Sequence, residues 1–433
     1  MQPLPLLVAT LILCGPTTNL LAQEGDLPDS DVQERLERLE RENAEMRAQI
    51  GALSTGLESV EFRDIIPPVG DSVFGMGPAA SKVYAKENGL SIGGYGEMIY
   101  TAYAGDTVDS ADFLRNILYV GYKFDEKWVF NSEIEVEHAD EVFLEFAYLE
   151  YLADEAFNVR AGMLLVPMGH VNEMHEPTTF RGPSRPVVES RIIPSTWREN
   201  GAGVIGDLGP LSYKLYVVNG LEGEEFTAAG LRDGRQKGSK ALADDLALVA
   251  RVDWSSDFGL DLGVSGYQGD SGQGAADLGD MGTTVLDVHA QYEVAGLRLR
   301  GLYAVAEVDD TLSLFNATSE DDKGVPVDPE DRTVVGQEME GWYLEAGYDV
   351  LSAIAPECGH QLIPYARYSK VDTQAEIDPA ILAAGGLADP AQDETITTIG
   401  IDWLPIPNIV FKAAYQDFDQ AKDRLQLSLG YVF

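Results

Sequence analysis

Cysteine is nearly absent: Cys14 and Cys358 are the two in 433 residues, which excludes the disulfide framework that staples small secreted domains. Bases are scarce too. Thirty Lys+Arg stand against 72 Asp+Glu, a net charge of −42, and a polyanion binder needs a net basic face, so nucleic acid is not an expected partner. Beyond residue 22 no apolar run reaches the ~18 residues of a membrane-spanning helix. With five histidines and no GxSxG or HExxH spacing, no nucleophile triad or zinc-protease helix can be assembled, so the chain is not expected to be an enzyme, and no cofactor or metal is expected. What remains is 45% apolar and 9% aromatic, too much for disorder. The mean hydropathy of −0.10 fits strands that alternate lipid-facing and water-facing residues, because such strands average to near zero.

The first 22 residues carry no charge and hold the apolar run from Leu6 to Leu13, followed by Gly15-Pro16 and Leu20-Leu21-Ala22. That pattern predicts a secretory leader over 1–22. Next comes a heptad over 29–63. Leu36, Asn43, Ile50 and Leu57 fall at a, and Val32, Leu39, Met46, Leu53 and Val60 at d, with charged residues between them, as a coiled coil requires. Its expected core is Leu36, Leu39, Asn43, Met46, Ile50 and Leu53. A seam of this kind must pair, and Asn43 would fix its register. Residues 64–89, with Pro67-Pro68 and several glycines, read as a linker.

From residue 90 the period falls to two, in segments of about ten residues, the length of a tilted membrane strand. They span 90–103, 114–124, 128–137, 142–152, 157–166, 200–207, 211–219, 245–254, 259–267, 284–294, 297–307, 340–350, 360–370, 394–404, 408–417 and 423–433. Sixteen segments are joined by connections that are short after most even strands and long after the fifth, seventh, ninth, eleventh and thirteenth. A soluble sandwich has no reason for that asymmetry, whereas an outer-membrane barrel has turns inside and loops outside. The last segment is the clearest: Leu425, Leu427, Leu429, Tyr431 and Phe433 share one face, and Arg424, Gln426, Ser428 and Gly430 the other. Trp128, Trp254, Trp342 and Trp403 fall where an interfacial girdle would put them. The fold class expected over 90–433 is thus an all-β, sixteen-stranded antiparallel transmembrane barrel in the outer membrane of a Gram-negative-type bacterium, with the helix in the periplasm.

The third outer connection, 167–199, is the candidate constriction. It carries Arg181, Arg185, Arg191 and Arg198 with Glu173, Glu176 and Glu189, and a narrow part of a pore needs fixed charges to replace an ion's hydration. His170, Glu173, His175 and Glu176 could be read as metal ligands, but Pro177 follows at once and the spacing is not that of a metal helix. Hydrogen bonds that anchor the loop to the wall are the simpler reading.

The stretches "GGYGEMIY" at 93–100, "VPMGHVNEMHEPTTF" at 166–180, "RPVVESRIIPSTWRENGAG" at 185–203 and "LSLGYVF" at 427–433 resemble the phosphate-selective porin O and P family. The resemblance implies a homotrimeric water-filled channel for small hydrophilic solutes, surrounded by outer-membrane lipid, with anions such as phosphate passing along lumenal Arg and Lys. By alternation the lumenal wall has nine bases, Lys123, Arg160, Lys214, Arg251, Arg298, Arg300, Arg367, Lys412 and Arg424. Twelve acids share that face: Glu97, Glu133, Glu135, Glu137, Glu145, Asp253, Asp261, Asp287, Glu293, Glu345, Asp349 and Asp402. Selectivity then depends on how the two signs segregate along the axis. The alternative is a barrel that anchors the helix and its acidic loops for tethering, with the helix touching peptidoglycan or another envelope component.

Overall fold

The computed structural model describes residues 29–58, 66–319 and 325–433, the side chains of 29–32 and 52–58 excepted. The leader expected at 1–22, the side chains of Val32, Leu53, Leu57 and Val60, and the loop acids Glu320, Asp321 and Asp322 lie outside the described residues. Helix α1 (Asp29–Glu58) is a unit by itself. Leu36, Leu39, Met46 and Ile50 are 53–65% exposed along it, an apolar stripe with nothing of its own helix to cover it.

The second unit is a closed antiparallel barrel. Its strands are β1 (Gly89–Tyr103), β2 (Ser110–Lys123), β3 (Trp128–Glu137), β4 (Glu141–Asp154), β5 (Phe157–Leu165), β6 (Arg198–Leu208), β7 (Leu211–Asn219) and β8 (Leu246–Ser255). They continue with β9 (Leu260–Asp270), β10 (Gly282–Val294), β11 (Leu297–Val308), β12 (Glu338–Tyr348), β13 (Gln361–Glu376), β14 (Asp393–Ile406), β15 (Ile409–Phe418) and β16 (Arg424–Val432). Each pairs with its sequence neighbours, and β16 returns to β1 with Tyr431 opposite Gly96 and Leu427 opposite Tyr100. Closure leaves no unpaired edge, the condition for a sheet to sit in hydrocarbon.

All sixteen expected strands are present, shifted at their ends by a few residues. The period-two reading of β16 is met: Leu425, Leu427, Leu429 and Phe433 face outward while Gln426 and Ser428 are buried. Trp128 and Trp403 are exposed on the outer face, the latter stacked on Phe411 at 5.3 Å. Trp342 lies deeper in β12 than expected and joins Tyr368 at 5.5 Å, opposite Tyr303. Even-numbered connections are tight. In the turn after β10, Ala295 and Gly296 both have positive φ, 48° and 83°, the geometry that matches a hairpin to strand twist. The turn after β12 is longer because Asp349 caps a short helix, Val350–Ile354, by accepting from the Leu351 amide at 3.1 Å. Asp349 was expected on the wall and is a cap instead.

A bulge in β4 corrects a second part of the wall. Glu133 pairs with Phe146 and Ile134 with Leu144, leaving Glu145 as an extra residue. An added residue flips every later side chain to the other face. Glu145 and, beyond the bulge, Phe146, Tyr148 and Glu150 therefore all point inward, and Glu150, absent from the alternation count, is fully buried. Arg115 and Glu394 are also inward, buried residues that the count omitted.

Candidate pore constriction

Residues 166–197, between β5 and β6, turn into the barrel. The loop's base is closed by Asn172: its side-chain amide donates to the carbonyls of Val166 at 2.7 Å and Trp197 at 2.9 Å, and its oxygen accepts from the Trp197 amide at 2.8 Å. Trp197 itself is fully buried against Tyr267 at 4.8 Å. From this staple the chain crosses to strands on the far wall, and the wall's cations hold it there. Arg251 donates to Gly169 O at 2.6 Å, Arg300 to Thr179 O at 3.3 Å, and Lys412 to Phe180 O and Gly182 O at 3.0 and 2.9 Å. Arg367 donates to Arg181 O and Ser184 O while pairing with Glu345 at 3.1 Å. Lys214 pairs with Glu173. Much of the basic wall read from alternation is thus occupied in seating the loop. Arg160 is engaged with Glu150 at 3.1 Å, Arg298 with Glu293 at 2.6 Å, and Arg424 with Gln416 at 2.7 Å. Lys123 lies at the short-turn end of β2, away from the loop.

The histidines and acids of the loop act as anchors. His170 Nε2 donates to Gly301 O at 3.3 Å and His175 contacts Glu133 at 3.3 Å. Glu189 accepts from the His170 and Val171 amides, both at 2.7 Å, and from the Tyr343 hydroxyl at 2.6 Å. Glu176 accepts from the amides of Ala79 at 2.8 Å and Ala80 at 3.1 Å. Burial pushes the Glu176 carboxyl up to about 8, against the pull of those two amides, and holds the His175 imidazole down to about 3.

None of the four loop arginines pairs with a loop glutamate. Arg181 meets buried Asp402 at 3.4 Å and Arg191 meets Glu394 at 3.0 Å. Arg198, expected in the loop, is the first residue of β6 because pairing with Leu165 extends the strand back to it, and it contacts Glu145 at 3.0 Å. Arg185 differs: among the described residues it forms no salt bridge, and its Nη2 is buried without a hydrogen-bond partner, with Glu97 and Glu145 acting on it from farther away. Burial, then Arg115 beside it, pull this guanidinium below its ordinary range.

The loop separates two cavities of different charge, one basic and one nearly balanced. On the long-loop side a cavity of about 650 Å³ is lined by Arg115, Arg185, Arg191, Arg232, Arg367, Lys422 and Arg424, with Glu97 and Glu394 as its acids. On the short-turn side a cavity of about 390 Å³ has Lys214, Arg251 and Arg300 against Glu173, Asp207, Asp253 and Asp261. Cations are therefore concentrated on the long-loop side, while the short-turn side is nearly balanced. Arg232 was missed, and with it Arg235. Both come from the connection after β7 and cover the end of the loop, Arg232 donating to Ser195 O at 2.9 Å and Arg235 to the Thr196 hydroxyl at 2.9 Å. Burial and the neighbouring Arg232 and Arg198 lower Arg235 to about 9. A signal existed: Arg232, Arg235, Lys237 and Lys240 form a basic run in an otherwise acidic set of loops.

No family model matches the chain. Among solved structures it is similar to Salmonella typhi OmpF in complex with daunomycin, at a TM-score of 0.53 and 14% identity over 80% of this chain and 98% of that one. It is also similar to a loop-deletion mutant of OmpT, an outer membrane protein of Vibrio cholerae, at 0.51 and 10% over 80% and 100%. At these identities the likeness is one of fold, the closed sixteen-stranded barrel of the porins. In sequence the chain is 38% identical over 382 residues, 83% of each chain, to an Aquifex aeolicus protein described as "Uncharacterized protein". Over that length and identity the two share one descent, and the chain belongs to the family of that Aquifex aeolicus protein.

Proposed function

We propose that the chain is an outer-membrane porin, a diffusion channel for small hydrophilic solutes with a preference for anions, related to the phosphate-selective porin O and P family. The observation that carries this reading is the cavity above the inserted loop, with seven cations against two carboxylates and the Nη2 of Arg185 buried without a hydrogen-bond partner. Fixed cations at a confined, partly dehydrated point attract anions and repel cations more strongly than the same charges spread along a wide wall. The acidic outer connections carry the net charge of the chain, and the arginines behind them offset it locally. In this reading the short turns are periplasmic, both ends of the barrel unit lie on that side, and the stripe on α1 is buried against the same helix of two other copies in a trimer. Reconstitution into planar bilayers tests it: a conducting trimer with a reversal potential on the anion side across a salt gradient is expected. A silent barrel, or a cation-preferring one, would overturn the reading.

A further inference from the structure

The segment ahead of β1 is more than the linker its prolines and glycines predict. Met76, Ala79, Ala80 and Val83 are at most 2% exposed, and the segment lies inside the barrel under the inserted loop. One end is fixed to the wall of the first strands. Residues Ala80–Ala85 form a 3₁₀ stretch, the side-chain amide of Asn131 donates to Ala80 O at 2.9 Å, and the Tyr84 hydroxyl donates to Glu150 at 2.5 Å and accepts from Arg160 at 3.2 Å. The backing strand makes room with Gly121, where a Cβ would lie 2.6 Å from the Cβ of Val83. The other end reaches β7: Gly75, at φ 74°, comes so near Lys214 that a Cβ there would lie 2.7 Å from its Nζ. Between these ends Glu176 ties the inserted loop to the Ala79 and Ala80 amides.

Crossing from β2 to β7, the segment forms one side of the 390 Å³ cavity. Ser72, Phe74 and Gly75 face the turn and strand residues Asp207, Lys214 and Asp253. Phe74 is half-buried, edge-on to Tyr84 at 5.5 Å, so its ring is held in place and its free edge borders the water space. We propose that residues 72–85 are a second constriction, a fixed plug on the periplasmic side of the inserted loop, and that Phe74 sets the bore between this plug and strands β6–β10. It rests on the channel reading and adds to it a distinct element. The upper mouth selects by charge, and this lower passage, bordered by an aromatic edge that cannot replace hydration, limits the size of the hydrated solute.

The test places a thiol at the proposed bore. In a Cys358→Ser background, Phe74→Cys is reconstituted and a negatively charged methanethiosulfonate reagent is added from the short-turn side. Current is expected to fall by roughly a third or more, in discrete steps as each subunit reacts. The same chemistry at Val108→Cys, 85% exposed in an outer connection, should react and leave current unchanged. Phe74→Ala should raise conductance and admit larger polyethylene glycols from the short-turn side alone. Complete modification of Cys at 74, verified by mass, with unaltered current would overturn the proposal while leaving the channel intact. A parent protein with no conductance would instead remove the channel reading and the plug's role together. If Phe74→Cys does not fold, Ser72→Cys reports on the same passage with the same expected and overturning results.

Discussion

Replacing Arg185 by Gln removes a cation that lines the cavity and forms no salt bridge among the described residues. A permeating ion about 6 Å away feels that charge by about 0.7 kcal/mol at the dielectric constant of water and about 2.8 kcal/mol at an effective value near 20. Screening over a Debye length of ~8 Å cuts the lower figure to about 0.3 kcal/mol. Because the charge acts in opposite senses on anion and cation, even this floor moves their permeability ratio by about threefold. The assay is the reversal potential across a salt gradient. Arg181→Gln is the comparison: Arg181 is paired with Asp402 and does not line this cavity, so its loss acts on a permeating ion from farther away and should shift the reversal potential less. Neutralising Lys214, Arg251 and Arg367 unseats the loop instead, because each donates to it, and should show as raised conductance and noise. An Arg185→Gln channel with the parent's reversal potential, alongside a clear shift in Arg181→Gln, would refute the assignment of selectivity to the Arg185 guanidinium.

Glu176→Ala should lower the thermal unfolding midpoint, the loss of a buried acceptor for two amides costing about 1–3 kcal/mol, with Glu176→Gln milder. A carboxyl whose folded pKa is about 8 against 4.5 when unfolded binds a proton on folding between those values. The parent should therefore lose stability relative to Glu176→Gln as pH rises from about 5 to about 8, and a difference that is flat over that window would remove the titration from Glu176. Thiol labelling of intact cells should reach Val108→Cys and spare Glu126→Cys in the turn after β2, and the reverse result would invert the topology. Native mass measurement should give a trimer, and Asn43→Ile should change helix stability without closing the pore; a monomeric parent would leave the α1 stripe unexplained.

The strands were legible because a lipid-facing and a lumenal side chain must alternate, so β16 could be read from five residues, and closure followed from their number and from the asymmetry of the connections. The inserted loop was legible as a length and a set of charges. Its pairing was not, since Arg181 meets Asp402 and Arg191 meets Glu394 across more than two hundred residues. Face assignment failed at β4, where one extra residue reverses the alternation and sequence carries no sign of it.

By itself, then, the sequence determined the strands, their order and the balance of charge, all properties of neighbours along the chain. Only the tertiary structure decided which charges cancel. It placed Arg251, Arg300, Arg367 and Lys412 on loop carbonyls, left Arg185 outside any salt bridge among the described residues, brought Arg232 in from another connection and drew the segment before β1 into the lumen. Those outcomes depend on distances across the barrel, where the Coulomb and hydrogen-bond terms that set selectivity act over a few ångströms regardless of separation in sequence.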